Sequence, residues 1–245
     1  MSRLSKSPRV PLLCYVTDRH SLAPANPKDA LKVLEQRIAA AANAGIDWIQ
    51  IREKDLSGKE YGALTGQAVR VAAGSLRSAA KSVPAPSTTE AGPERLSTRI
   101  IVNDRLDIAL VAQAGAVHLG EKGLPVEEAR RLMKSLGHDK DFLIGVSCHS
   151  LEAAKAAERG GADYLFFGPV FATPSKTAFG APQGLKPLGE VCRAVSIPVL
   201  AIGGITLEYA ADCLSSGASG IAAIRLFQDV PDMGSVVRAL QKLSP

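Results

Sequence analysis

The hydrophobic positions of this chain fall into short apolar runs that alternate with longer segments of helical spacing. Short apolar runs are typical of buried strands, and apolar residues at i, i+3 and i+4 are typical of amphipathic helices. Strands are expected at Leu12–Thr17, Asp47–Arg52, Arg99–Asn103, Ala116–Gly120, Phe142–Ser147, Asp163–Gly168, Pro198–Gly203 and Gly220–Ile224. Helices are expected at Pro27–Asn43, Gly58–Lys81, Arg105–Ala112, Pro125–Leu136, Leu151–Arg159, Lys186–Ala194, Leu207–Ser216 and Asp232–Leu243.

This alternation of strands and helices predicts an α/β protein with a closed (β/α)8 TIM barrel. Alternating elements imply parallel strands with right-handed crossovers, and 245 residues is a usual length for eight such units. A doubly wound open sheet is the alternative, but the glycine-rich turn that often follows its first strand is replaced here by Thr17-Asp18-Arg19-His20. We therefore expect one barrel domain over residues 1–245, with a basic tail at 1–10 and a surface insertion rich in Pro, Ser and Thr at 81–98.

Composition and charge narrow the range of partners. The net charge is +5, aromatic residues make up 4% of the chain, and Lys and Arg are scattered along it. A nucleic-acid platform concentrates basic and aromatic residues, so we expect no nucleic-acid partner, whereas small anionic ligands suit a mildly basic protein. No apolar stretch reaches the length of about 18 residues that a membrane span needs, so no membrane partner is expected.

The four cysteines, Cys14, Cys148, Cys192 and Cys213, are widely spaced and show no metal-ligand spacing. Together with the lack of a signal-peptide pattern, this predicts reduced, buried thiols in a cytoplasmic protein. His149 follows Cys148 directly, but neighbours on a strand point to opposite faces. A Cys–His nucleophile is therefore not expected there.

The most informative motif is Gln50-Ile51-Arg52-Glu53-Lys54, at the end of the second predicted strand. If the strand continues through it, Gln50, Arg52 and Lys54 share one face. An amide and two cations make a poor core but a good receptor for an anion, with a planar fork from Arg52 and a mobile charge from Lys54.

The C-terminal ends of the other strands extend this picture, because the active site of a barrel lies at those ends. The paired glycines Gly203-Gly204, followed by Thr206 at a helix start, match a phosphate cradle made of backbone N–H groups. Asp104 offers a carboxylate suited to a hard divalent cation. Two anion sites that face one cavity predict an enzyme with two phosphorylated substrates.

Seven motifs in order resemble the thiamine phosphate synthase family, whose barrel is shared by the thiazole tautomerases. They are QIREK at 50–54, VND at 102–104, HLG at 118–120, GVSCH at 145–149, GPVFATPSK at 168–176, QGL at 183–185 and AIGGIT at 201–206. The resemblance implies a transferase of thiamine biosynthesis that condenses an aminopyrimidine diphosphate with a thiazole phosphate. Diphosphate leaves first, and the thiazole nitrogen then attacks the resulting cation. A homo-oligomer stays open.

The resemblance also implies roles for individual residues. Asp104 would bind Mg²⁺, and the departing diphosphate would be stabilised by Mg²⁺ and the catalytic residues Arg52, Lys54, Lys176 and Ser147. The pyrimidine diphosphate would contact Gln50, Arg52, Lys54, Asn103, Ser147 and Lys176. The thiazole phosphate would contact Thr173, Ser175 and the backbone at Gly203, Ile224 and Arg225.

Two positions depart from the family pattern. Gly123 stands where the family usually has a second Mg²⁺-binding aspartate. Mg²⁺ often binds through one or two carboxylates plus substrate phosphates, so Asp104 alone, a contribution from Glu121, or Lys122 as a replacement cation are all open. Arg225 stands where the family usually has serine. It either faces the phosphate or turns outward.

Two other functions stay open beside the synthase. A thiazole tautomerase would use His149 as its acid and base. A catalytically inactive barrel would bind thiazole phosphate or a thiamine product. The combination of QIREK, Asn103-Asp104 and Lys176 favours the synthase, because those residues suit a diphosphate. We expect His118 to be a core residue and Trp48 to wall the cavity or pack inside the barrel.

Overall fold

The computed structural model describes residues 4, 6, 10–22, 29–82, 98–138, 140–173 and 181–243, and gives only the backbone of 75–82. The strands are β1 (Leu12–Val16), β2 (Trp48–Ile51), β3 (Arg99–Asn103), β4 (Ala116–Leu119), β5 (Leu143–Cys148), β6 (Tyr164–Phe167), β7 (Val199–Ile202) and β8 (Gly220–Ala223). The helices are α1 (Ala30–Ala44), α2 (Gly58–Ser82), α3 (Leu106–Val111), α4 (Val126–Ser135), α5 (Leu151–Arg159), α6 (Leu185–Ala194), α7 (Leu207–Ser215), α8 (Arg225–Gln228) and α9 (Met233–Gln241), with a 3-10 turn at Arg19–Ser21.

The eight strands form a closed parallel barrel in chain order, with β8 paired to β1. The predicted (β/α)8 fold is thus confirmed, and every strand bound agrees with the predicted one to within one residue. Two short elements were missed, the 3-10 turn and α8. The predicted start of the first helix at Pro27 lies outside the described residues, as does 83–97, so the surface insertion stays a prediction.

Side chains alternate along the strands between the barrel interior and the helix layer, as the period of two requires. Trp48 packs inside the barrel, where its ring lies 4.6 Å from that of Tyr164. The interior cluster consists of Cys14, Val16, Trp48, Ile101, Ala116, Leu143, Tyr164, Phe166, Leu200 and Ala222. Outward residues such as Leu13, Ile49 and Val102 pack against the helices in a second, larger cluster. Burial of each such side chain contributes about 1.5–3 kcal/mol.

Side-chain caps begin helices α5, α7 and α9. Ser150 accepts a hydrogen bond from Ala153 N, Thr206 from Tyr209 N, and Asp232 from Ser235 N. Such caps satisfy backbone N–H groups that have no partner within the helix. The connections before α5 and α7 are two and four residues long, so their polar residues stay at the rim of the barrel.

Gln228 on α8 joins the last part of the barrel to the first. Its Oε1 accepts a hydrogen bond from the hydroxyl of Tyr15 at 2.7 Å, and its Nε2 donates to Asp18 O at 2.8 Å and to Ser21 Oγ at 2.6 Å. Gln228 is 1% exposed. One buried amide thus holds α8 against the loop that follows β1.

All four cysteines are buried and unpaired. Burial raises the pKa of Cys148 to about 12 and that of Cys192 to about 11, so these thiols are protonated and poor nucleophiles at neutral pH. Among the described residues, none of the helices combines the length and the apolar character that crossing a bilayer requires.

Candidate active site

The C-terminal ends of the strands surround a cavity of about 750 Å³. Polar, charged or glycine residues that follow each of the eight strands meet in it, as expected for a barrel. Of the residues predicted for the site, Gln50, Arg52, Lys54, Asn103, Asp104, Ser147, His149, Thr173, Gly203, Ile224 and Arg225 line the cavity. Ser175 and Lys176 lie outside the described residues. The lining also includes Phe166 and Leu226, which lie outside the sequence motifs.

The second strand end presents its two cations to the cavity. Gln50, Arg52 and Lys54 line it, whereas Glu53 is 2% exposed and points away, as alternation predicts. Within the described part of the chain, no carboxylate lies within ion-pair distance of Arg52 or Lys54. Both positive charges are therefore available to an anionic ligand.

A buried carboxylate fixes the backbone on which these cations stand. Thr17 Oγ1 donates to Glu53 Oε1 at 2.7 Å and accepts from Arg52 N at 2.9 Å. Arg19 Nη1 lies 3.0 Å from Glu53 Oε2. The same guanidinium bonds Asp55 and holds the pKa of that carboxyl well below its usual range. The ion pair with Arg19 offsets the cost of burying Glu53.

A chain of hydrogen bonds orients the polar groups of the next two strand ends. Gln50 Nε2 donates to Asn103 Oδ1 at 2.8 Å, and Asn103 Nδ2 donates to Asp104 Oδ2 at 2.7 Å. Gly120 N donates to Asp104 Oδ1 at 2.7 Å. Asp104 has φ of 60°, a left-handed conformation unusual for a residue with a side chain. These bonds hold the carboxylate in that conformation at the rim of the cavity.

Position 123 lies directly beside the Asp104 carboxylate. A Cβ atom there would be 3.2 Å from Asp104 Oδ1 and 3.1 Å from Gly120 O. A side chain at 123 would therefore reach the same space as Asp104, but glycine leaves that space open. Asp104 and Glu121 both line the cavity. Among the described residues, no group of three or more His, Cys, Asp or Glu side chains is placed to hold a metal ion.

The opposite side of the cavity is built from backbone. Gly203 and Gly204 have φ of 100° and 66°, and a Cβ atom at Gly204 would lie 2.4 Å from Ala172 O. Glycine is needed there because the loop after β6 packs against it, with Phe171 N donating to Gly203 O at 3.0 Å. Arg225 begins α8 directly after β8 and also lines the cavity.

Two histidines differ in their surroundings. His118 is 1% exposed and stacks on Phe166 with ring centroids 4.1 Å apart. It is a core residue, as expected, but it also forms part of the cavity floor. His149 lies at the rim, with Nδ1 bonded to Gly168 O and Nε2 3.9 Å from Glu121 Oε2.

Comparisons with known proteins agree on one family. The family model "Thiamine monophosphate synthase" matches residues 87–227. A thiamine-phosphate synthase of Methanoculleus marisnigri is 42% identical over 205 residues, covering 84% of each chain. One from Chlorobium phaeobacteroides is 37% identical over 240 residues, covering 96% of this chain and 97% of its own. The solved structure of thiamine phosphate pyrophosphorylase from Pyrococcus furiosus matches with a TM-score of 0.72 and 29% identity, covering 96% of each chain.

Proposed function

This chain belongs to the thiamine monophosphate synthase family, and we propose that it joins an aminopyrimidine diphosphate to a thiazole phosphate through the cavity at its strand ends. It is a transferase of thiamine biosynthesis, and thiamine phosphate and diphosphate are its products. The observation that carries the proposed site is the meeting of two cations, Arg52 and Lys54, with a glycine-lined backbone cradle across one cavity. The tautomerase and the inactive barrel are not favoured, because the relatives compared are thiamine-phosphate synthases.

We assign the diphosphate to the side of the cavity formed by β2 to β5. Arg52 can give two parallel hydrogen bonds to phosphate oxygens, and Lys54 adds a compact charge. Asn103 and Gln50 are held by their mutual bond at 2.8 Å and present amide groups beside these cations. Ser147 lines the same side. Lys176 is part of this proposal from the motif alone, since it lies outside the described residues.

We assign the thiazole phosphate to the side formed by β7 and β8. The backbone turn at Gly203-Gly204 has no side chain between it and the cavity, so N–H groups can approach phosphate oxygens. Thr173 lines this side, as do Ile224 and Arg225. Ser175 is assigned here from the motif alone. The two phosphorylated substrates would then face each other across the cavity.

We propose Mg²⁺ as the cofactor, held by Asp104. A single carboxylate is a suitable donor for Mg²⁺, which commonly completes its shell with water and substrate phosphates. The Asp104 oxygens already accept hydrogen bonds from Gly120 N and Asn103 Nδ2, but each has a second lone pair. When bound, the ion would neutralise charge on the leaving diphosphate. Glu121 is a second carboxylate in the cavity wall.

The residues of this cavity suit a reaction in which a good leaving group departs. Arg52 and Lys54 bind the diphosphate and stabilise the negative charge that grows on it as the bond to the pyrimidine methylene carbon breaks. The cradle at Gly203-Gly204 holds the second substrate so that its ring nitrogen faces that carbon. Such a reaction needs no strong general base, and His149, bonded to Gly168 O, is not required for it.

A steady-state assay tests this proposal. Purified protein is supplied with the two substrates, with and without Mg²⁺, and thiamine phosphate is followed. We expect Mg²⁺-dependent product, and Arg52→Ala to lower kcat/KM by at least about 100-fold, the usual effect of removing a group that stabilises transition-state charge. Arg131→Ala is the matched control, because the Arg131 side chain is 73% exposed on α4 and, among the residues that the structure describes, its ion pair is with Glu128.

The outcomes separate the alternatives. Product formation that Arg52→Ala does not change would contradict the assignment of the diphosphate to this side. Isomerisation of a thiazole carboxylate phosphate without synthase activity would favour the tautomerase and make His149 the residue to test. A cytoplasmic location and a homo-oligomer stay predictions, the first consistent with four unpaired thiols.

A further inference from the structure

A polar chain runs from the cavity into the interior of the barrel. Ser147 Oγ lies 2.9 Å from His118 Nε2, and His118 Nδ1 lies 3.3 Å from the hydroxyl of Tyr164. His118 is 1% exposed and Tyr164 is fully buried. Ser147 is the member that lines the cavity with a hydroxyl. A hydrogen-bond chain of this kind can set the orientation of its exposed end.

One glycine makes the inner contact possible. His118 on β4, Gly145 on β5 and Tyr164 on β6 are paired in register, so Gly145 stands between the other two. A Cβ atom at Gly145 would lie 2.0 Å from Tyr164 Cζ. The phenol ring therefore occupies the space of the missing side chain, and its hydroxyl reaches across β5 to His118.

The burial of Tyr164 determines which atoms donate and which accept along this chain of hydrogen bonds. Its pKa is raised well above the usual value by burial, so the hydroxyl stays protonated and must donate its hydrogen. Among the described residues, its hydrogen-bond partner is His118 Nδ1. A neutral imidazole that accepts at Nδ1 carries its proton on Nε2, and that N–H donates to Ser147 Oγ. Ser147 is then left with its own O–H to donate into the cavity.

We propose that Tyr164 and His118 are positioning residues that make Ser147 a hydrogen-bond donor toward the bound diphosphate. This rests on the proposed function, since the acceptor is the diphosphate of the pyrimidine substrate. With the Nδ1–H tautomer, the Ser147 hydroxyl would donate its hydrogen to His118 Nε2 and would present only lone pairs to an anion. The chain prevents this arrangement, so the hydroxyl needs no reorientation when charge develops on the leaving group.

Two measurements test the proposal. The first is the ¹⁵N–¹H NMR spectrum of the histidine rings in the free protein, with the signal of His118 assigned by its loss in His118→Gln. We expect only the Nε2–H tautomer of His118 in the wild-type protein. In Tyr164→Phe we expect a mixture of the Nε2–H and Nδ1–H tautomers. An Nδ1–H tautomer in the wild-type protein would overturn the proposal, whatever the enzymatic activity.

The second measurement is a double-mutant cycle on kcat/KM for the pyrimidine diphosphate. We expect Ser147→Ala to cost about 100-fold, as for other donors to transition-state charge, and Tyr164→Phe about tenfold, because the hydroxyl then donates only part of the time. In the Ser147→Ala background, Tyr164→Phe should cost nothing further, since it acts through Ser147. Additive costs would overturn the proposal.

Tyr15→Phe is the matched control for the loss of a buried phenol. Tyr15 is also fully buried, but its hydroxyl bonds Gln228 outside the barrel interior. We expect it to lower stability as Tyr164→Phe does while leaving kcat/KM unchanged. An equal fall in kcat/KM for both would show a general effect of destabilisation and overturn the positioning role. A wild-type protein that forms no thiamine phosphate would refute the proposed function, while the spectrum would still decide the tautomer.

Discussion

Replacing Gly123 with aspartate tests the cation site at Asp104 most directly. A Cβ atom at 123 would lie 3.2 Å from Asp104 Oδ1, so the two carboxylates would be roughly 5 Å apart or less. At that distance two unit charges repel by about 1 kcal/mol in water and about 3 kcal/mol at an effective dielectric constant of 20. Asp104 is exposed, so the lower figure applies. We expect Gly123→Asp to unfold about 1 kcal/mol more easily than Gly123→Asn in metal-free buffer.

Mg²⁺ should cancel this difference, because the ion replaces repulsion with two attractive contacts. The assays are urea unfolding with and without Mg²⁺, and the Mg²⁺ dependence of thiamine phosphate formation. The half-saturating Mg²⁺ concentration should fall by about tenfold in Gly123→Asp, equivalent to about 1.4 kcal/mol. Gly123→Asn supplies the same volume without charge, and Gly123→Ala reports the contact with Gly120 O at 3.1 Å. Identical responses of the Asp and Asn variants to Mg²⁺ would refute a cation site at Asp104.

Three further predictions concern the surroundings of the cavity. Glu53→Gln should lower the free energy of unfolding, measured in urea, by about 2 kcal/mol, because it removes the buried charge that is paired with Arg19. The same change should raise KM for the pyrimidine diphosphate. An unchanged KM would show that the position of Arg52 does not depend on Glu53. Arg225→Ser should raise KM for the thiazole phosphate by about tenfold, as loss of a charge-assisted bond would, and an unchanged KM would show that the side chain turns outward. The lowered pKa of Asp55 means that its ionised form contributes stability above the ordinary carboxyl pKa of about 4 and loses it as pH falls below that value, so the stability gap to Asp55→Asn should narrow in acid. A gap that is constant with pH would contradict the pairing of Asp55 with Arg19.

The strands could be predicted closely because each is a short apolar run that is buried on both faces. In a parallel barrel this signal is strong, and the position of the site at the strand ends follows from the fold. The two-residue period of a strand was enough to predict that Gln50, Arg52 and Lys54 share one face. The alternation also placed Cys148 and His149 on opposite sides, with Cys148 buried and His149 lining the cavity.

The elements that sequence patterns missed are held by distant contacts. The turn at Arg19–Ser21 and helix α8 are too short for a periodic signal, and Gln228 links them across the fold. The chain from Tyr164 to Ser147 depends on the register of three strands, which a single sequence does not give. A glycine inside a strand pattern, Gly145, was its one available signal, because such a glycine often marks a close approach.

The bonds of Gln228 have a consequence for how the protein is made. Tyr15 and Gln228 are 213 residues apart in the sequence, and the strand β8 that pairs with β1 is likewise synthesised last of the eight strands. At about 5–20 residues per second of translation, β1 leaves the ribosome roughly 10 to 40 s before its partner exists. During that time the nascent sheet has two open edges, which are prone to pair with other chains. We therefore expect the pairing of β1 with β8 to close the barrel only after the last strand has been synthesised.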